Sequence, residues 1–201
     1  MCIRDRLEDY KKHVDERAEL NIPPLPLDAD QTSELISLLK EKNNDPDYLL
    51  NLLKERVPAG VDQAAYLKAA FLADITTGNA SSPYISKIDA VEILGTMLGG
   101  YNVEPLIRCL EIEELAETAS HVLGRTLLIF DAFNEIFELS KKNKYAKKVI
   151  EEWADAKWFT EKEDIKDQIK LTVFKVSGEI NTDDLSPCLL YTSDAADDSL
   201  R

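Results

Sequence analysis

The chain is short of the residues that build metal and redox centres, with 3 cysteines and 2 histidines among 201 residues. His13 and His121 stand far apart, and neither has a second histidine or a cysteine at ligand spacing, so the pattern excludes a local zinc-type cluster. His121, beside Val122 and Leu123, reads as a packed or capping side chain, and His13, on a charged helical stretch, as a solvent-facing one. Glycine is scarce too, at 7 residues, and neither Gly-x-x-x-x-Gly-Lys nor Gly-x-Gly-x-x-Gly occurs, which excludes the common phosphate-cradling loops. No apolar run approaches the ~20 residues that a membrane-crossing helix needs, and no secretory pattern opens the sequence. The expectation is a cytoplasmic protein with no membrane partner. Positive charge is the remaining deficit: 24 Lys and Arg face 38 Asp and Glu, a net charge of −14 that disfavours sequence-independent binding to polyanions. Lys141, Lys142, Lys144, Lys147 and Lys148 form the one dense basic run, and it reads as the solvated face of a helix. With 44% hydrophobic and 31% charged residues, the composition is that of a folded domain.

Both ends read as something other than protein design. Met1 to Arg6 reverse-translate as ATG TGT ATA AGA GAC AG, and the complement of that string, read backwards and shifted by one base, reads Cys-Leu-Leu-Tyr-Thr, the residues Cys188 to Thr192. The string resembles the transposon end used to fragment DNA for sequencing, and Ser193 to Asp198 read as its continuation. Residues 1–6 and 188–201 are therefore expected to be translated adapter and are set aside from fold reasoning. That leaves Cys109 as the single native cysteine. One thiol makes no internal disulfide, and within Leu106-Ile107-Arg108-Cys109-Leu110 it is expected to be a small buried side chain.

Most of what remains carries the helical period. Asp45 before Pro46 forms an N-cap and first-turn pair, followed by a stripe of Tyr48, Leu49, Leu52 and Leu53 that Pro58 ends. Asp62 opens the next helix, with Ala64, Leu67, Phe71 and Ile75 inward and Gly78 as its stop. Ser86 with Asp89 has the form of a capping box, and Ile88, Val91, Leu94 and Leu98 continue inward to a stop at Gly99-Gly100. Further helices are predicted near 7–20, 31–40, 103–110, 114–123, 126–139 and 145–158. Helices of ~10 to 15 residues with short joints and no strands between them predict a mainly α architecture of helix pairs stacked in layers.

The pattern changes only near the end. Leu171 to Val176 alternates like a strand with a buried face, Gly178 breaks it, and Asn181, Thr182, Asp183 and Asp184 suit a turn because their side chains bond nearby backbone amides. Thr182-Asp183-Asp184-Leu185-Ser186 resembles the Thr-Asp-x-(Leu/Ile)-Ser core that opens the swivel domain of the aconitase superfamily. Leu94-Gly95-Thr96-Met97-Leu98-Gly99-Gly100-Tyr101-Asn102 and Trp153-Ala154-Asp155-Ala156-Lys157-Trp158-Phe159 are similar to the amino-terminal region of B-type aconitases. Three stretches in the right order, spanning roughly Leu7 to Pro187, are far more specific than one.

That resemblance implies a HEAT-like helical domain over 7–160, then a linker and the truncated start of an α/β swivel domain over 161–187. It implies a parent enzyme that interconverts citrate and isocitrate through cis-aconitate, with a [4Fe-4S] cluster held by three thiolates. With Cys109 as the only native thiol, this fragment is expected to bind no cluster and to be inactive alone. The resemblance further implies that Asp183 orients an active-site histidine in the intact enzyme, while Asp184 and Ser186 serve as turn or cap residues. A tricarboxylic acid is the substrate implied for the parent. The alternative is an interaction module without catalysis, working through homodimer formation or through mRNA binding.

Overall fold

The computed structural model describes residues 5–126, 132–161, 168–171, 173 and 178. Ten α-helices account for most of them: α1 (Asp5–Glu19), α2 (Ala29–Leu39), α3 (Pro46–Asn51), α4 (Gln63–Thr77), α5 (Lys87–Gly95), α6 (Val103–Cys109), α7 (Ala116–Leu123), α8 (Phe133–Ser140), α9 (Lys144–Ala154) and α10 (Lys157–Thr160). No strand occurs among the described residues. The chain is mainly α, as its periodicity predicts.

Local chemistry sets several helix starts. Asp28 accepts from the Gln31 amide at 2.7 Å while the Gln31 side chain accepts from the Asp28 amide, a reciprocal cap for α2. Asp45 caps α3 with Pro46 in its first turn, Asp62 caps α4, and Ser86 and Asp89 form the reciprocal pair at α5. The Ser86 hydroxyl and, less strongly, the Ser86 amide hold the Asp89 carboxyl below its usual range. Gly78, at φ +82°, ends α4 in the left-handed region that glycine enters without steric penalty.

The helices stack in sequence. α1 packs on α2, α2 on α4, α4 on α5, α5 on α7, α7 on α9, and α8 lies against α9, so each helix is covered by near neighbours in the chain. One continuous core runs through the array, from Leu7 and Leu35 through Leu53, Leu72, Leu94, Leu106 and Leu123 to Val149. Burying each such side chain contributes roughly 1.5–3 kcal/mol relative to leaving it in water. The connections are tied down as well. Tyr10 Oη donates to the Leu25 carbonyl at 2.8 Å and accepts from Arg56 Nε at 3.1 Å, joining α1, the 20–28 segment and the end of the second helical layer.

Four expectations are corrected. The helix begun at Pro46 does not run regularly to Pro58; it widens into a π turn over Leu52–Arg56, closed by the Val57 amide on the Leu52 carbonyl five residues back. The helix begun at Ser86 stops at Gly95 rather than Gly99-Gly100, which leaves Leu98 beyond its end and exposed; Ile88 in its first turn is exposed too, while Ala90, Ile93 and Met97 take inward positions beside Val91 and Leu94. The helix predicted over 126–139 begins at Phe133; residues 127–131 are outside the described set. The helix predicted over 145–158 is two, because Ala156 adopts φ +52° between α9 and α10. Of the predicted strand, Leu171 and Val173 are described and both are exposed; residues 172 and 174–176 lie outside the described residues.

Candidate functional site

The most constrained irregular structure lies where the loop after the π turn, residues 57–62, meets the loop after α5, residues 96–102. Gly95 ends α5 against Val122 of α7, in a space that a β-carbon would fill. The Leu98 and Gly99 amides then donate to the Ala59 carbonyl at 2.8 and 3.2 Å. A β-carbon on Gly99 would overlap the Gly60 carbonyl, so only glycine permits this approach, and Gly100 follows at φ +89°. Asn102, 1% exposed, donates through Nδ2 to the Leu94 and Met97 carbonyls at 2.9 and 3.1 Å, adding to the Met97 amide that already serves the Leu94 carbonyl. Tyr101 Oη donates to the Val61 carbonyl at 2.8 Å, and its ring stands edge-on to Tyr66 of α4 with centroids 5.5 Å apart.

Bracing of this kind fixes the backbone while leaving apolar side chains outside. Leu98 is 71% exposed, Val61 53% and Tyr66 49%, whereas Met97 beside them is buried. A cleft of about 340 Å³ adjoins Leu98, lined by Met97, Val103, Thr126 and Arg125. The Arg125 guanidinium is already engaged, with Glu152 at 3.0 Å and with Glu161 of the carboxy-terminal turn. No acid–base pair is assembled here; the chemistry on offer is apolar recognition on a rigid frame.

The titratable side chains lie elsewhere. Lys68, on the buried face of α4, is 0% exposed, and its Nζ has no hydrogen-bond partner. Burial lowers its pKa to about 8, opposed by the charge of Glu55. Sequence reading missed this residue, since one lysine among Ala64, Ala65, Ala69 and Leu72 carries no motif. Cys109 is buried in α6 as expected, and burial pushes its thiol pKa up, favouring the inert protonated form. It is the one cysteine among the described residues, so they do not fit a cluster that needs three thiolates. Among them no group of three or more His, Cys, Asp or Glu could hold a metal ion.

The histidines depart from their expected places. His13 is half-buried: its Nε2 accepts from the Leu25 amide at 3.0 Å and fastens the 20–28 segment to α1. His121 is exposed at the end of α7, with only its backbone carbonyl engaged by Arg125. In the basic run, Lys141 pairs with Glu138 at 2.6 Å, Lys147 with Glu151 at 3.6 Å and Lys148 with Glu117, and the Glu117 carboxyl is held below its usual range by Lys148. Lys144 lies over the Tyr145 ring, 4.7 Å from its centroid. Three of the five lysines, Lys141, Lys147 and Lys148, are thus paired with carboxylates on the helix surface. Asp183, Asp184 and Ser186 lie outside the described residues.

Two of the three stretches that carry the resemblance lie among the described residues. Leu94 to Asn102 is the braced loop itself. Trp153 to Phe159 turns from α9 into α10, anchored by Trp153 Nε1 donating to the Leu123 carbonyl at 2.9 Å. No helix of the described residues is long and apolar enough to cross a membrane.

Comparison with known proteins accounts for these features. Residues 9–159 match the family model described as the aconitate B N-terminal domain. The chain is 52% identical over 183 residues to aconitate hydratase B of Pseudomonas aeruginosa and 51% identical over 184 residues to that of Synechocystis, in each case over 90% of this chain. It is 46% identical over 187 residues to aconitate hydratase B of Helicobacter pylori. The chain spans about a fifth of the length of these relatives, 21% of the first two and 22% of the third. By this match over most of its length, the chain belongs to the aconitate B N-terminal domain family.

Proposed function

We propose that this chain is the amino-terminal helical part of a hydro-lyase that interconverts citrate and isocitrate through cis-aconitate. The observation that carries the reading is sequence identity of about one half, over nine tenths of the chain, to proteins named aconitate hydratase B. In this reading residues 7–160 form the helical domain, 161–187 a linker and the first strand of the swivel domain, and 1–6 and 188–201 adapter sequence. The tricarboxylic acid substrate and the [4Fe-4S] cluster belong to the parent. Its thiolate ligands lie in polypeptide beyond this chain, and no catalytic step is assigned to the residues described here.

Asp183 is the single residue to which a role near the reaction is given. Its carboxylate would hold an active-site imidazole in one tautomer and stabilise the charged form, leaving that ring to work on the substrate. A chimera in which residues 7–187 replace the matching first fifth of the Pseudomonas aeruginosa relative tests both points. Citrate should give cis-aconitate absorbance with the unaltered segment, and Asp183→Ala should lower turnover by at least ~100-fold while leaving the melting curve in place. Near-normal turnover in the variant would discard the role. The 201-residue chain alone, after iron and sulfide reconstitution, should stay inactive on citrate.

Association without chemistry is the second reading, and the exposed apolar residues around Leu98 favour it. Homodimer formation is the form this takes in solution; binding to mRNA has less support, because three of the five lysines in the basic run are paired with carboxylates. Sedimentation of the chain at high micromolar concentration decides for or against self-association.

A further inference from the structure

We infer that the cleft between α1, the 20–28 segment and the π turn binds a small carboxylate that carries an apolar body. This cleft shares no residue with the loop frame, and it stands whether or not the parent is a hydro-lyase. Its volume of about 360 Å³ is within the range of pockets that take small molecules. Val14, Pro24, Leu52 and the rings of Tyr10 and Tyr48 supply apolar walls, while Lys11, Asn51 and Arg56 line it with hydrogen-bond donors. An apolar body and an anionic head therefore both find partners there.

The donors in this cleft are unanswered. Lys87, Arg108, Arg125 and Lys157 each pair with a carboxylate, whereas among the described residues neither Lys11 nor Arg56 does. Lys11 lies over the Tyr48 ring, 5.0 Å from its centroid, which holds the ammonium beside the cleft. Arg56 is oriented by Nε donating to Tyr10 Oη and by Nη2 donating to the Pro24 and Leu25 carbonyls. Its Nη1 has no acceptor among the described residues, and the Tyr48 hydroxyl and the Asn51 side chain have no hydrogen-bond partner among them either. Burial raises the Tyr48 pKa, so its hydroxyl keeps its proton at neutral pH. Of the described residues that line the cleft, Asp15 is the only acid. Asp45, at the start of α3, also acts on Tyr48, but its carboxylate already accepts from the Tyr48 amide at 3.3 Å. Two cations thus face one carboxylate in a chain whose net charge is −14.

The backbone irregularity falls at the same place. Leu52 and Arg56 are the first and last residues of the π turn, and both line the cleft. Widened turns of this kind are rare and recur at functional sites.

Titration of the nitrogen-15-labelled 201-residue chain with hexanoate tests the site. The amide signals of Lys11, Tyr48, Asn51 and Arg56 should shift together and saturate with a Kd of about 1 mM or tighter. Lys11→Gln should weaken hexanoate at least ~5-fold without moving the melting curve, Lys11→Arg should bind like the unaltered chain, and Asp15→Asn, which removes the opposing charge, should strengthen binding about twofold. The neutral 1-hexanol and inorganic phosphate should each bind at least ~5-fold more weakly than hexanoate. Equal binding of 1-hexanol would reveal an apolar cleft without anion recognition, and equal binding of phosphate an anion patch without an apolar half; either overturns the inference. So does a titration that fails to saturate by about 20 mM hexanoate, or a Kd left unchanged by both Lys11→Gln and Asp15→Asn.

Discussion

The helical interior and the loop frame invert the usual rule in opposite directions. Inside, α4 buries the ammonium of Lys68 with no hydrogen-bond partner; outside, the frame holds Leu98 at 71% exposure on a backbone fastened at four points. A buried cation without a partner opposes folding, and an exposed leucine on a rigid loop does nothing for it. The contrast teaches where to look for work beyond folding. The frame gives up apolar burial it could have had, and does so with a glycine contact and a buried asparagine that serve no purpose but to hold it still.

The strongest way to break the contrast is to unfasten the frame. Gly99→Val drives a branched side chain into the Gly60 carbonyl and should destabilise the chain by roughly 3 kcal/mol, read from urea unfolding at constant slope. Asn102→Ala removes a buried side-chain donor from the Leu94 and Met97 carbonyls, leaving Leu94 the Met97 amide, and should cost about 2 kcal/mol. If either variant unfolds like the unaltered chain, the frame is not rigid and its exposed residues lose their special meaning.

The interior half of the contrast is tested by pH. The Lys68 pKa is lowered in the folded state, from 10.5 to about 8, so between those values the unfolded chain binds a proton that the folded chain does not. Stability should therefore rise as pH increases from about 8 toward 10.5, and below that window the penalty is fully present. Lys68→Met should raise stability at pH 7 by on the order of 2 kcal/mol and flatten the rise above pH 8, checked by chemical unfolding at several pH values. A variant that is less stable at pH 7 would show that the ammonium has a partner in solution. The smallest effect belongs to Leu98→Asp in the chain alone, where the change in unfolding free energy should stay within about 0.5 kcal/mol.

What the sequence made legible follows the range of the forces involved. The caps at Asp45, Asp62 and Ser86 and the stop at Gly78 depend on neighbours within four residues, and each stands where the pattern puts it. Gly99 was a different case. A glycine pair after an apolar stripe has the local form of a helix stop, but its purpose is set by Gly60, brought beside it by the turn between α4 and the π turn. The inward place of Leu98 failed for the same reason: α5 ends early at Gly95, where Val122 of α7 comes close, and period-based reading carries no knowledge of that helix. Lys68 and His13 have no local signature, since burial of one and the Leu25 contact of the other come from packing between elements. Family membership was legible in three short stretches, two of which prove to be the braced loop and the α9–α10 turn. Asp183 and its neighbours remain a sequence expectation outside the described residues.

The account depends on this chain being the opening fifth of a longer enzyme, and the source gene tests that most directly. A DNA read spanning the codon for Pro187 should continue in frame for several hundred codons into the swivel domain and on to closely spaced cysteines able to hold the cluster. A stop codon immediately behind Pro187 in genomic DNA would contradict it.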